Sequence, residues 1–240
     1  MIPLGRHLLR FFLPWACAGC RVPLESFEDH GFCGRCWLAI PRIHGLVCRA
    51  CGVPLKDGGA SCFNCRRDPS PVIIRAAAKY SGVIPRAVYR FKYAGRKTLA
   101  SPFASLLRFA WANYPELRDF QALVPVPLHP TNERVRGFNQ AQLLADEFGL
   151  VIRKPVFSIL IRTRKTPSQV DLNRRERQDN MRSAFALHPW AVSKSETLKG
   201  LSLLLIDDIC TTTSTLSECA RVLRRAGVQS VKALVLARDL

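Results

Sequence analysis

Leu203-Leu204-Leu205-Ile206-Asp207-Asp208-Ile209-Cys210-Thr211-Thr212-Thr213-Ser214-Thr215 is the stretch from which the rest of this chain is read. Leu201–Ile206 is apolar except for Ser202, which suits a strand buried on both faces of a parallel sheet. The strand is expected to end in two carboxylates, Asp207 and Asp208. Five hydroxyl residues, Thr211, Thr212, Thr213, Ser214 and Thr215, then lead into a helix over 215–226. Leu216, Cys219, Ala220 and Leu223 follow the i, i+3, i+4, i+7 spacing of that helix, and Gly227 suits its C-cap. Backbone N–H groups and hydroxyls at a helix start attract an anion, and open parallel sheets bind ligands at the carboxyl ends of their strands. Carboxylates repel a phosphate, but they accept hydrogen bonds from two adjacent sugar hydroxyls. The local pattern therefore predicts a ribose 5-phosphate site. A capped strand–helix turn without a ligand is the alternative, since Asp and Thr are common there anyway.

Outward from this segment, apolar runs alternate with helical periodicity. Strands are expected over 72–80, 122–127 and 231–237, and helices over 84–92, 99–114 and 139–148, with a long polar loop at 128–140. This order predicts an α/β domain over 72–240, a parallel sheet flanked by helices. The polar, two-proline segment Arg66-Arg67-Asp68-Pro69-Ser70-Pro71 marks its boundary with residues 1–66.

Residues 1–66 carry eight of the ten cysteines, as four C-x-x-C pairs: Cys17/Cys20, Cys33/Cys36, Cys48/Cys51 and Cys62/Cys65. The pairs are separated by 12, 11 and 10 residues. A C-x-x-C turn points two thiolates at one tetrahedral ion, and two turns complete a closed four-thiolate site, so two structural zinc ions are expected. An iron–sulfur cluster is the alternative for the same ligands. A disulfide framework needs an oxidising compartment, to which nothing in the sequence directs the chain. Pairing neighbours in sequence closes the shortest loops, and a cross-brace is the alternative. A module this small folds on its metal rather than on an apolar core.

The chain has 240 residues and a formal charge of +18. Residues 71–240 hold 27 basic against 13 acidic residues, so the basic excess lies in the α/β part and favours phosphate-bearing partners. No apolar run approaches the roughly 18 residues of a membrane span. Arg10 and Pro14 interrupt the opening apolar stretch, which reads as an amphipathic helix with Leu8, Leu9, Phe11 and Phe12 packed on the protein itself. A cytoplasmic location is expected.

The 203–215 segment resembles the phosphoribosyl-diphosphate motif of type I phosphoribosyltransferases. The whole chain resembles the ComF family, competence protein F and the related GntX proteins. The resemblance rests on the double zinc ribbon, Phe91-Lys92-Tyr93-Ala94-Gly95-Arg96, Val124-Pro125-Val126-Pro127, Arg136-Gly137-Phe138-Asn139-Gln140, Gln169, Arg177, Asn180, Ala184-Phe185 and the 203–215 motif. It implies a type I phosphoribosyltransferase fold that binds 5-phosphoribosyl-1-diphosphate, with Asp207 and Asp208 at the ribose and 211–215 at the 5-phosphate. It also implies a pyrophosphate loop carrying Arg134, Arg136, Gly137 and Asn139, a mobile loop over 162–182, and Mg²⁺ held mainly by the diphosphate. The family's association with natural transformation implies DNA uptake as the setting. A non-enzymatic factor handling single-stranded DNA through its ribbons and basic surface is the alternative. One departure matters: the family usually has Gly where this chain has Thr213, which would be strained at positive φ.

Metal analysis of the purified protein should return two zinc ions per chain. One ion or none, or the visible absorption of an iron–sulfur cluster, would contradict the reading.

Overall fold

The computed structural model describes residues 16–24, 31–56, 58–164 and 183–240. The helix expected near the N-terminus, and Gln169, Arg177 and Asn180, lie outside them. Helices α1 (Gly34–Leu38) and α2 (Phe63–Arg67) each begin directly after a C-x-x-C residue, Cys33 and Cys62. Strand β1 (Ile73–Lys79) opens the α/β part and is followed by α3 (Ile84–Tyr93) and α4 (Ala100–Asn113). Then come β2 (Ala122–Pro125), α5 (Pro130–Arg136) and α6 (Gln140–Ile152). A hairpin of β3 (Leu160–Arg162) and β4 (Phe185–Leu187) precedes α7 (Pro189–Val192). The chain closes with β5 (Ser202–Cys210), α8 (Ser214–Arg225) and β6 (Ser230–Arg238).

Four strands form one parallel sheet in the order β1-β6-β5-β2. Parallel strands need both faces covered, and two apolar clusters do this. Leu204, Ile206, Leu234 and Leu236 face α3, α4 and α6 through Phe91, Phe103, Leu144 and Phe148. Leu203, Leu205, Val231 and Val235 face α8 through Leu216, Cys219 and Leu223. Because all strands run one way, the ends of β2, β5 and β6 share one rim, and the connections after β2 and β5 emerge there. β5 runs two residues beyond the carboxylates, to Cys210, so Asp207 and Asp208 sit within the strand rather than at its last residue.

Both edges of the sheet are covered, which blocks edge-to-edge pairing. At β2, Phe157 N donates to Leu123 O at 2.8 Å. At β1, the chain between the two cysteine clusters crosses antiparallel, Ile43 N donating to Ala77 O at 2.9 Å and Lys79 N to Pro41 O at 2.8 Å. The first cysteine module shares its core with the α/β part: Cys17, Ala18, Phe32 and Ile40 are buried together with Phe91, Leu99 and Phe103. Its carbonyls are pinned by arginines from the α3 region. Arg90 donates to Cys17 O at 3.2 Å and also to Ala18 O, and Arg96 donates to Ala16 O at 2.5 Å.

The second module is pinned by Arg75 of β1. Its guanidinium donates to Cys48 O at 3.3 Å and Arg49 O at 3.1 Å, and pairs with Glu116 at 2.5 Å, while the residue is only 4% exposed. Burying an arginine is tolerated because every face of its fork meets a partner. Gly52 makes the close approach. Its φ is +73°, and a Cβ there would lie 2.3 Å from Ile74 O. Gly45 has a similar φ of +79° with no atom within 4 Å of such a Cβ.

Gly52→Ala should therefore destabilise the protein by more than the roughly 1–3 kcal/mol that a left-handed backbone alone costs, whereas Gly45→Ala should cost only that share. Urea unfolding of the two variants checks this. Equal losses would mean that the second module is not seated against β1.

Candidate functional site

Asp207 and Asp208 alternate across β5, so one carboxylate meets each side of the sheet. Asp208 lies toward α3 and α6 and is 3% exposed. Its Oδ2 forms an ion pair with Lys92 Nζ from α3, and its Oδ1 accepts from Gln140 Nε2 at 3.4 Å. Gln140 Oε1 in turn accepts from Arg136. Asp207, 9% exposed, accepts from the backbone N–H of Asp208 at 2.8 Å through Oδ1.

The two carboxyls are driven apart. Burial pushes Asp207 well above the usual carboxylate range, and the neighbouring Asp208 charge pushes the same way. Burial would also raise Asp208, but the Lys92 ammonium overcomes it and holds that carboxyl below its ordinary value. Burial would lower the Lys92 ammonium, and the Asp208 charge raises it instead. The site therefore holds a carboxylate paired with an ammonium, Asp208 with Lys92, beside a second carboxyl that burial and the Asp208 charge push upward.

The hydroxyl loop follows directly. Thr211 is exposed, Thr212 Oγ1 donates to Ser214 Oγ at 3.2 Å, and α8 begins at Ser214. Thr213 has φ −77° and ψ −6°, a conformation open to any residue, so the strain expected of a position reserved for glycine is absent. Thr215 is partly buried in the first turn of α8. A cavity of about 670 Å³ opens beside this loop, lined by Thr213, Ser214, Ser217, Arg221 and Asp68, and neither Asp207 nor Asp208 lines it.

The polar stretch 128–140 is not simply a loop, because α5 lies within it. His129 caps that helix by accepting from Thr131 N at 3.2 Å, Pro130 takes the first turn, and Gly137 at φ 80° closes it. Arg134 is exposed on α5. Arg136 binds Gln140 and lies 5.1 Å over the Tyr93 ring. Asn139 is occupied at both ends of its amide, accepting from Ala141 N at 3.0 Å and donating to Val126 O at 3.1 Å. Gly137 and Asn139 therefore shape the turn, whereas Arg134 and Arg136 bring charge to it. Arg162 ends β3; burial lowers its guanidinium, and Asp207 acts on it in the opposite sense. Lys92 and Gln140 are the participants that reading the sequence by local pattern passes over, although both stand inside the quoted Phe91–Arg96 and Arg136–Gln140 stretches.

The eight cysteines form two clusters, Cys17/Cys20/Cys33/Cys36 and Cys48/Cys51/Cys62/Cys65, each with its sulfurs within 4.8 Å of one another. Neighbours in sequence pair, as the shorter loops favour. Tetrahedral coordination at the usual zinc–sulfur length separates sulfurs by roughly 3.8 Å, and Cys20–Cys33 and Cys51–Cys62 stand at 3.7 and 3.6 Å. Gly19 N and Cys33 N both donate to Cys17 Sγ at 3.3 Å. Burial raises the Cys17 thiol, but backbone N–H groups outweigh it and bring the thiol to about 6. Cys48 likewise reaches about 6, burial being outweighed by backbone N–H donors. The donor set fits structural zinc at both positions.

The geometry defines a class: a type I phosphoribosyltransferase fold bearing an N-terminal double zinc ribbon. A family model described as a double zinc ribbon domain matches residues 8–66, and one described as a phosphoribosyl transferase domain matches 135–240. The chain belongs to the competence protein F family. It is 31% identical over 232 residues to competence protein F of Haemophilus influenzae, covering 95% of this chain and 98% of that protein. It is 29% identical over 233 residues to the DNA utilization protein YhgH of Escherichia coli K12, covering 95% and 99%. It is 30% identical over 222 residues to competence protein ComFC of Bacillus subtilis, covering 88% and 85%.

Lys92→Met removes one partner of a buried pair and should destabilise by about 3–5 kcal/mol. Adding Asp208→Asn should recover part of the loss, since the uncompensated charge then goes too. Chemical denaturation of both single variants and the double gives the coupling. Strictly additive losses would mean that the pair does not form.

Proposed function

We propose that this chain binds 5-phosphoribosyl-1-diphosphate at the rim formed by β2, β5 and the start of α8, and that it serves DNA uptake as a phosphoribosyltransferase-like protein. The observation that carries the reading is the buried carboxylate pair beside a hydroxyl-rich turn that opens a helix. In this reading residues 1–66 are the metal module and 72–240 the sugar-phosphate domain. Asp208, ionised, accepts from one ribose hydroxyl; its oxygens keep free lone pairs beside Lys92 and Gln140. Asp207 accepts from the other hydroxyl. The N–H groups and hydroxyls of 211–215 hold the 5-phosphate. Arg134 and Arg136 meet the diphosphate, with Mg²⁺ bound chiefly by its oxygens. Lys92 pairs with Asp208, and its flexible stem would let the ammonium turn from the carboxylate to the incoming diphosphate.

The chemistry such a site supports is displacement at C1. A bond forms from the acceptor to C1 as the C1–O bond breaks, and pyrophosphate leaves with the bonding pair. Asp208 offsets the positive charge that develops on the sugar ring. The names of the relatives support a DNA-linked setting. A second reading, a non-catalytic single-stranded DNA factor, draws on Arg86, Arg90, Lys92, Arg96 and Lys97, five cations within 12 residues without an acid. Binding of that kind should weaken steeply with salt.

Calorimetric titration of the diphosphate with Mg²⁺ tests the first reading. Asp208→Asn should bind roughly ten- to a hundredfold more weakly, because charge-assisted hydrogen bonds contribute about 1.5–3 kcal/mol each. Thr213→Gly should give no gain, because Thr213 is unstrained. Thermal melts establish that each variant is folded. A native protein without measurable affinity removes this reading and leaves the DNA one.

A further inference from the structure

Among the described residues two arginines are buried, Arg75 and Arg238, at 4% and 5% exposure. The charge of Arg75 is matched by Glu116. Arg238, the last residue of β6, belongs to no ion pair among the described residues. Its Nη1 donates to Cys210 Sγ at 3.0 Å, and its buried Nε has no hydrogen-bond partner. A thiol is a weak acceptor, and a guanidinium taken out of water needs an anion close by.

The second cysteine module lies on that side of the sheet. Asp68 follows Cys65 by three residues, and Asp68 and Pro69 share a cavity wall with Thr213 and Ser214. Farther along, Arg224 of α8 donates to Pro71 O at 2.7 Å. The chain leaving the module therefore runs beside α8, from the hydroxyl turn toward the end of that helix. This holds the Cys62–Cys65 turn at the level of the rim, where β6 ends in Arg238. Burial pushes the Cys51 thiol up, and the Val53 N–H and the Arg238 charge pull against it.

Four thiolates outweigh one divalent ion, so a closed four-thiolate zinc centre is a net anion. The first centre has cations of its own, since Arg90 and Arg96 donate to the carbonyls of Ala16, Cys17 and Ala18. At the second, Arg75 makes the matching carbonyl contacts, but Glu116 neutralises it. We propose that Arg238 is the counter-charge of the zinc centre formed by Cys48, Cys51, Cys62 and Cys65, and that through Cys210 it ties that centre to the hydroxyl turn. The tie is a relay: Cys210 Sγ accepts from Arg238 and donates to Thr212 O at 3.2 Å. A guanidinium has no lone pair to offer a metal, so Arg238 is a positioning residue that acts through its charge. The inference rests on the zinc reading of the clusters and is independent of the sugar-phosphate reading.

The test measures zinc release from the full-length, two-zinc protein into a chromogenic chelator. Alkylation and peptide mass mapping assign each phase to a cysteine cluster. Arg238→Met keeps most of the side-chain volume and removes the charge. It should release the second ion about ten- to a hundredfold faster, the scale on which metal affinity falls when a group supporting the ligands is lost, with the first ion unchanged. Arg238→Lys restores the charge and should release the second ion at a rate near native. Hydrogen exchange of the 211–213 amides should quicken in the zinc-loaded methionine variant. Native release rates in that variant overturn the proposal. Equal acceleration at both centres overturns it too, since the fold as a whole would then have loosened, and so does a lysine variant as fast as the methionine one. Faster release with unchanged exchange at 211–213 overturns the tie through Cys210. Unchanged release with weaker ribose 5-phosphate binding would assign the guanidinium to a bound phosphate instead. If the methionine variant does not fold, the lysine variant decides: two ions held at near-native rates support the counter-charge, and loss of the second ion or of the fold overturns it.

Discussion

A carboxylate buried at the end of a sheet must be matched by a positive charge, and in this protein Lys92 supplies it to Asp208. The ion pair ties α3 to β5, and Gln140 on the other oxygen ties in α6. Removing either charge would leave the other stranded at low dielectric. Its neighbour feels the pair as well: burial pushes the Asp207 carboxyl up, and the Asp208 charge pushes it the same way. One contact therefore fixes the packing of two helices and the charge pattern presented to a ligand.

The zinc ribbons belong to the same construction. The first module shares an apolar core with the helices α3 and α4, the first of which carries Lys92, and Arg90 and Arg96 of that region hold its carbonyls. The second seats on β1 through Arg75 and Gly52. Metal binding in such small units is folding free energy, so the ions support the α3–α4 layer as well as their own loops. A family in which the two modules travel together is consistent with that shared packing.

Much of this was legible in the sequence because it depends on local pattern. Four buried strands, the helices between them, the neighbouring cysteine pairs and the carboxylates before a hydroxyl-rich helix start all follow from periodicity and spacing. What escaped depends on distant partners. Lys92 stands in a strongly basic helix, where a lysine reads as solvated, and only the fold reveals the aspartate it meets. Helix α5 is short and polar with no buried side chain, so its periodicity is silent. Its signals were the proline after His129 and the glycine at 137. Arg75 interrupts an apolar strand because its partners are carbonyls of the second ribbon. Thr213 looked misplaced against its family, yet its φ is negative and the departure costs the backbone nothing.

Hydrogen–deuterium exchange of the zinc-loaded protein, with and without 5-phosphoribosyl-1-diphosphate and Mg²⁺, tests the central claim most directly, because it reports where the ligand sits. The account predicts slowed exchange of the amides in 211–215 and in the 134–140 turn, with the ribbons unchanged. Protection confined to other segments, or none at saturating ligand, would contradict it.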